Sequence, residues 1–523
     1  MRQFHKVALG LGFALSVAGC SDYLSAPDLT SDPTKVTALT KPGPLYIGIQ
    51  EAGPPQREGQ LARFAAEYTQ QVAGFSRQQI GYDLYQADAT DLDPYFGAIY
   101  GTNNTLNGGG GLLDIHKMQQ LGRKNNDSLF VGIGKVYEAM YMGLAADQFG
   151  DIPYREAADS TNLHPKFDSQ LQIYADLQSQ LDSAITIFLT ATGPSNAGPS
   201  ADGSELIYGD RGGDPDALRA VYIKVAHSLK ARLYMHTAEV DPSSYAKALA
   251  EVPLGIADPA DDFLWFHDGS PQGQNIWWQF MSARGDIAPG AAFVEIQKRR
   301  ITAGVENFNQ MTFTFLPTSA GPTEFVGVRP TGSRNMVTNG TIYNGAGNPV
   351  GEFSLFGPYI DGATAPGDWR TPEITFRETQ LIGAEAAFQT GGAGAAQPFL
   401  DAARANRTYG TFAGAVVDFG AAPGSLPATL QNIIEEKYTA LYLNPEVWND
   451  YKRTCFPSLA PAPSVAAGTT PRGTPIVGRL PYGLTELNAN GANAPPVTTQ
   501  SRNRNDPNAC PVLNYVNSTP LAN

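Results

Sequence analysis

The stretch DDFLWFHDGSPQGQNIWWQF, residues 261–280, concentrates the side chains best suited to holding a neutral, hydroxylated ligand. It sets Trp265, Phe266, Trp277, Trp278 and Phe280 among Asp268, Gln274 and Asn275, and three of the chain's five tryptophans fall inside it. A sugar ring has an apolar C–H face that a flat aromatic covers, and a polar rim that amides and carboxylates hydrogen-bond. Tyr95 and Trp369 are outlying candidates for the same task. The competing reading of these tryptophans is a local core under a long loop. Trp448, within VWNDYKR, is read as packing.

Chemistry beyond binding finds little support. The chain has no H-E-x-x-H, G-x-S-x-G, Walker loop or C-x-x-C. His116, His164, His227, His236 and His267 share no ligand spacing, and His227 and His236 lie two and a half turns apart on one predicted helix. A glycosidase needs two facing acids. Of the candidates Asp151, Glu156, Glu435 and Glu436, the adjacent glutamates point about 100° apart on a helix. Asp151 follows a helix end and is read as a turn residue. Asp88, Asp91 and Asp93 have the acid density of a calcium loop but lack its glycine at the sixth position and its glutamate at the twelfth. No enzyme, metal or cofactor is expected; calcium is an unsupported alternative.

The elements that must position these residues read as mainly helical. Residues 1–19 join a basic start to a short apolar run, well under the roughly 20 residues that span a bilayer, and read as a secretory signal. Residues 20–55, rich in Pro, Asp, Thr and Gly, read as a tether, and 56–252 as a helical-repeat region. Residues 253–370 read as a loop-rich, ligand-binding region with strand-like pieces such as MTFTFLP. Residues 371–523 read as C-terminal helices and, from 457, a disulfide-linked tail of Pro, Gly and Asn loop. Helical spacing predicts helices over 167–190, 215–239, 243–251, 372–389, 395–406 and 428–444. Asp93, with Pro94 after it, is the expected N-cap of an early helix. SLFVGIGKVYEAMYMGLAADQFG predicts a long helix ended by Gly150 and Pro153.

The formal charge is −14, and it becomes −16 once residues 1–19 are removed with their Arg2 and Lys6. An acidic surface repels nucleic acid, and no nucleic-acid partner is expected. Beyond Cys20 the chain has only Cys455 and Cys510, an even pair that suggests one disulfide outside the cytosol.

Val17-Ala18-Gly19-Cys20 resembles a bacterial lipobox, with Cys20 as the lipidated first residue of the mature chain. Four further stretches resemble the SusD/RagB family of outer-membrane nutrient-binding lipoproteins, in its SusD-like branch. They are GLAADQFGDIPYREA (143–157), ELIYGDRGG with VYIKVAHSLKARLYMHTAE (205–239), ITFRETQLIGAEAAFQTGG (374–392), and IIEEKYTALYLNPEVWNDYKRTCFPSL with RLPYGLTELNAN (433–490). Tyr222, His227, Glu436, Lys452 and Gly483 depart from the usual family residues.

The resemblance implies a fold of tetratricopeptide-like helix pairs, a SusD-like α–α superhelix, with an irregular ligand-binding region. It also implies a lipid-anchored protein on the outer face of the outer membrane. There it would bind an oligosaccharide or polysaccharide and deliver it to a SusC-like TonB-dependent transporter. Family members place an aromatic on the early helical region facing the ligand, which favours Tyr95. An oligopeptide-binding, RagB-like lid of the same transporter type is the nearest alternative. A surface glycoside hydrolase and a scaffold that binds only proteins are more distant ones.

Overall fold

The computed structural model describes residues 39–101, 109–159, 161–330, 337, 338, 340–343, 349–357, 367–459 and 476–496. The signal segment, Cys20, Cys510 and the early part of the tether lie outside the described residues. Cys455 is disulfide-bonded.

Helices dominate. The first half holds α1 (Gly43–Arg57), α2 (Gln60–Tyr68), α3 (Arg77–Asp83), α4 (Ala89–Tyr100), α5 (Leu112–Lys124), α6 (Ser128–Phe149), α7 (Gln170–Thr190), α8 (Pro215–Thr237) and α9 (Ser243–Glu251). The loop-rich segment holds α10 (Ile276–Ala283), α11 (Ala291–Thr302) and α12 (Asn309–Thr314). After it come α13 (Phe376–Gly391), α14 (Ala393–Ala405), α15 (Leu430–Ala440), α16 (Glu446–Thr454) and α17 (Leu484–Asn490).

Successive helices pack on one another: α5 on α6, α6 on α7, α7 on α8, α8 on α9, then α9 on α13 and α13 on α14 and α15. The layer of helix pairs therefore runs past residue 252 into the C-terminal part. Its main core mixes Tyr46, Ile133, Tyr137 and Leu229 with Trp448, Leu480 and Tyr482.

Local sequence explains most helix ends. Asp127, Ser169, Asp214, Thr375 and Thr429 cap α6, α7, α8, α13 and α15 by accepting backbone N–H bonds, and Pro215 fills the first position of α8. α6 is apolar nearly all round and buried nearly all round, as a central helix must be. Its stop is a steric requirement. Gly150 has φ 81°, and a Cβ there would lie 2.4 Å from Arg479 Nη1. Ile152–Pro153 then pairs with Phe167–Asp168.

Four expectations are corrected. Residues 43–55 are not tether: Tyr46, Ile49 and Ala52 form the buried stripe of α1, and Tyr46 Oη donates to Glu205 Oε2 at 2.8 Å. Helix α4 starts at Ala89, capped by Asp88 in a reciprocal box with Asp91, so Pro94 lies inside it. MTFTFLP is not a strand; it closes α12 and only Phe315–Leu316 is extended. The tail carries α17.

Short antiparallel pairs pin the loop-rich segment to the helices. Val72–Gly74 pairs with Ile287–Pro289, and Phe263–Leu264 with Pro372–Ile374.

A candidate ligand-binding cleft

Most of the aromatic cluster read from the sequence is structural. Trp265 is 1% exposed and donates from Nε1 to Glu373 Oε2 at 3.1 Å, and its ring fills the space left by Gly53 of α1. Trp277 and Trp369 are fully buried; Trp369 packs on Tyr409 and donates to its carbonyl at 3.3 Å. These three indoles are core, not platform: Trp265 packs into the first core cluster, and Trp277 and Trp369 into the second. Asn275 is buried as well. It caps α10 by accepting from Trp278 N at 3.1 Å and donates to Trp369 O at 3.0 Å and Glu58 Oε2 at 3.2 Å.

The remaining members are partly open. Phe266 is half-buried beneath the Arg370 guanidinium, 4.6 Å from its ring. Asp268 is exposed and accepts from Ser270 N at 2.9 Å, hydrogen bonds that hold its carboxyl below the usual range. Gln274 and Trp278 are half-buried beside Gly367. Trp448 is buried and donates to Val477 O at 3.1 Å, as expected of a packing residue.

The acids weighed for catalysis or calcium are committed elsewhere. Asp151 Oδ1 accepts from Gln170 N at 3.0 Å, at the start of α7. Glu435 faces Arg299 at 2.6 Å, whereas Glu436 faces other arginines. Asp88 and Asp91 cap α4, and Asp93 accepts from Thr485 N at 2.6 Å.

Among the described residues one group, Asp147, His236 and Glu446, has its ligand atoms within 4.8 Å of one another. The two carboxylates sit on opposite ring nitrogens, Asp147 at 3.0 Å from Nδ1 and Glu446 at 2.5 Å from Nε2. Burial alone would lower the imidazole pKa, but the two carboxylates raise it to about 9. The ring is paired on both nitrogens, an arrangement that favours the imidazolium.

Tyr95 is different. With Ala98 it forms the α4 wall of a cleft of about 140 Å3, whose other walls are Pro55 and Gln56 of α1, Gly59, Gln60, Leu61 and Arg63 of α2, and Ile276 of α10. Three buried polar atoms of these walls have no hydrogen-bond partner: Gln56 Oε1, Gln60 Nε2 and Arg63 Nη1. Such atoms are rare, because each costs about 1–3 kcal/mol when unsatisfied. Arg63 is held by Gln60 Oε1, 3.0 Å from its Nε, and by the Phe280 ring, 4.2 Å from its guanidinium carbon. Burial pushes its pKa down to about 10 and raises that of Tyr95.

The residues that wall the cleft thus carry one buried acceptor and two buried donors, beside an aromatic wall and apolar flanks. The cleft is smaller than the roughly 300–1,000 Å3 of sites that enclose a whole small molecule, so it has room for only one edge of a larger one. A second depression of about 390 Å3 lies under the hairpin of Thr408–Phe412 and Ala415–Asp418. Two of its polar side chains are already used: Asn309 Nδ2 donates to Phe419 O at 2.8 Å and Asp418 accepts from Gly420 N at 2.8 Å.

Of the residues named from the sequence, Tyr95 lines this cleft, whereas Gln56, Gln60 and Arg63 were passed over. Their signal was a polar row at i, i+4 and i+7, which reads as a solvated helix face when no neighbour is known.

A family profile described as starch-binding, associating with the outer membrane, matches residues 50–483. The chain belongs to the SusD-like family. No curated protein matches the chain by sequence. Among solved structures, a SusD homologue from Bacteroides uniformis is 18% identical with TM-score 0.65, covering 89% of this chain and 99% of that one. A chitin-binding protein is 21% identical with TM-score 0.63, covering 87% and 95%. A SusD homologue from Bacteroides fragilis is 16% identical with TM-score 0.63, covering 90% and 99%. These likenesses show the fold. The family is one of carbohydrate-binding, outer-membrane-associated proteins. No helix among the described residues is long and apolar enough to cross a membrane.

Proposed function

We propose that this SusD-like protein captures a glycan in the cleft between α1, α2, α4 and α10 and delivers it to a SusC-like, TonB-dependent transporter. The observation that carries this reading is the trio of unsatisfied polar atoms, from Gln56, Gln60 and Arg63, in a cleft walled by Tyr95. A hydroxyl-rich ring edge supplies both donors and acceptors to such a trio, while its C–H face covers the aromatic. The role is capture without conversion. Lipidation at Cys20 would tether the protein to the outer membrane, facing outward, with the helix-pair layer as its rigid back. Shallow burial and the cost of desolvating hydroxyls make each binding event weak, so delivery depends on the partner barrel.

Calorimetric titration of the purified chain with starch-derived and chitin-derived oligosaccharides tests this, with mixed oligopeptides as the second arm. Saccharide binding is expected, with Tyr95→Ala and Arg63→Met each weakening it about tenfold or more, the worth of one good hydrogen bond or stacking contact. Binding of peptides alone would replace the glycan by an oligopeptide.

A further inference from the structure

Four arginines and two glutamates meet in the interior where the loop-rich segment joins the C-terminal helices. Arg300 comes from α11, Arg377 from α13, Arg404 from α14 and Arg407 from the chain after it. Glu436 comes from α15 and Glu306 from the loop after α11. All six side chains are at most 5% exposed. Glu436 takes Arg377 at 2.7 Å, Arg404 at 2.8 Å and Arg300. Glu306 faces Arg407 at 2.5 Å and Arg300 at 3.9 Å. The neighbouring Arg299–Glu435 pair adds no net charge.

Four positive charges against two negative leave an excess of two. Nε and Nη1 of Arg300, Nε and Nη1 of Arg377 and Nε of Arg407 have no hydrogen-bond acceptor.

Among the described residues, two other buried networks balance their charges. Arg57 and Arg232 face Glu373 and Glu378, two against two. Lys437 and Arg453 face Glu385 and Asp450, two against two. Where acids are in excess, at Glu67 and Asp83, burial raises both carboxyls and so favours their neutral forms. Arginine has no such escape, since its guanidinium does not deprotonate in proteins. An uncompensated buried charge is strongly destabilising, so the missing countercharge must come from outside these six residues.

We infer that a small inorganic anion, a halide or a compact oxyanion, binds in this arginine cluster and fastens α11 to the α13–α15 helices. The donors are all N–H groups on rigid, planar forks, the chemistry that selects anions. The Phe419 ring, 5.9 Å from the Arg407 guanidinium carbon, offers only its π-face and no acceptor oxygen.

The test uses the full chain, unfolded and refolded with its disulfide intact, in gluconate, chloride, bromide or sulfate at equal ionic strength. Gluconate, a bulky organic carboxylate, is the reference that is expected not to bind. The expected result is a melting temperature several degrees higher in the halides or in sulfate than in gluconate, which also separates the two anion types. Arg407→Met, which lowers the excess by one charge, should at least halve that difference. Crystals of bromide-refolded protein should show an anomalous peak within hydrogen-bonding reach of Arg300, Arg377 and Arg407. Should the variant not fold, the crystals decide. Equal melting in all four salts, with only water or a carboxylate of the chain itself against these arginines, overturns the proposal. Glycan binding at the distant cleft is scored separately and does not enter the result.

Discussion

The helix-pair layer and the cleft solve the same problem in opposite ways. Inside the layer, the buried charges of Arg232 and His236 are answered by the chain itself. Arg232 sends one guanidinium nitrogen to Glu378 at 2.7 Å and another to Glu373 at 3.0 Å, and a third reaches the Glu373 carbonyl at 2.5 Å. His236 lies between two carboxylates. At the cleft, Gln56, Gln60 and Arg63 keep atoms that nothing in the chain answers. The comparison teaches where stability and recognition are invested. Paired charges hold the layer together, and the unsatisfied atoms of Gln56, Gln60 and Arg63 lie beside the cleft proposed to take a ligand.

The sharpest way to break this contrast is to remove one partner from a paired network. Arg232→Met leaves Glu373 short of one partner and Glu378 without its guanidinium. Chemical denaturation should show a loss of about 3–5 kcal/mol, the scale for orphaning a buried charge. A loss under about 1 kcal/mol would mean the layer does not depend on pairing.

A second probe is pH. His236 titrates at about 9 when folded, against about 6.5 in an unfolded chain. Its folded value is raised, so its contribution is fully present below about pH 6.5 and is lost as pH rises through 9. The loss is on the order of 3 kcal/mol. His236→Gln should abolish that alkaline slope in melting curves; persistence of the slope would assign it to another group.

The smallest effect sharpens the comparison at the edge of the cleft. Glu67, on the same helix as Arg63, and Asp83 of α3 are buried carboxyls raised well above their usual range by burial. A raised acid favours the folded state at low pH and costs stability once pH exceeds its unfolded value. Glu67→Gln should therefore stabilise by about 1 kcal/mol at pH 8 and by nearly nothing at pH 4. Equal effects at both pH values would show that Glu67 is already paired.

Much of the fold was legible because helix formation is local. The spacing of apolar residues and the caps at Asp214 and Thr375 lie within a few residues of the ends they set. Where the reading slipped, a nearby competitor won. Asp88 took the cap expected of Asp93 because Asp91 could close the box with it. Pro and Gly in 43–55 suggested tether, yet Tyr46 and Ile49 had a core to enter.

The candidate site was legible only at Tyr95. The tryptophans carry the same composition whether they line a cleft or fill a core. Trp265 fills the core because Glu373, over a hundred residues away, accepts its N–H and Gly53 leaves room for its ring.

By itself, then, the sequence determined the helix starts and stops, the acidic charge and the family motifs, all matters of covalent order or of contacts a few residues apart. Only the tertiary structure decided which buried polar atoms find partners and which do not. Glu58 meets Asn275 and Thr371 across more than two hundred residues, while Arg63 Nη1 meets nothing. Whether a buried group is answered depends on every element packed around it, and one segment's composition does not hold that information.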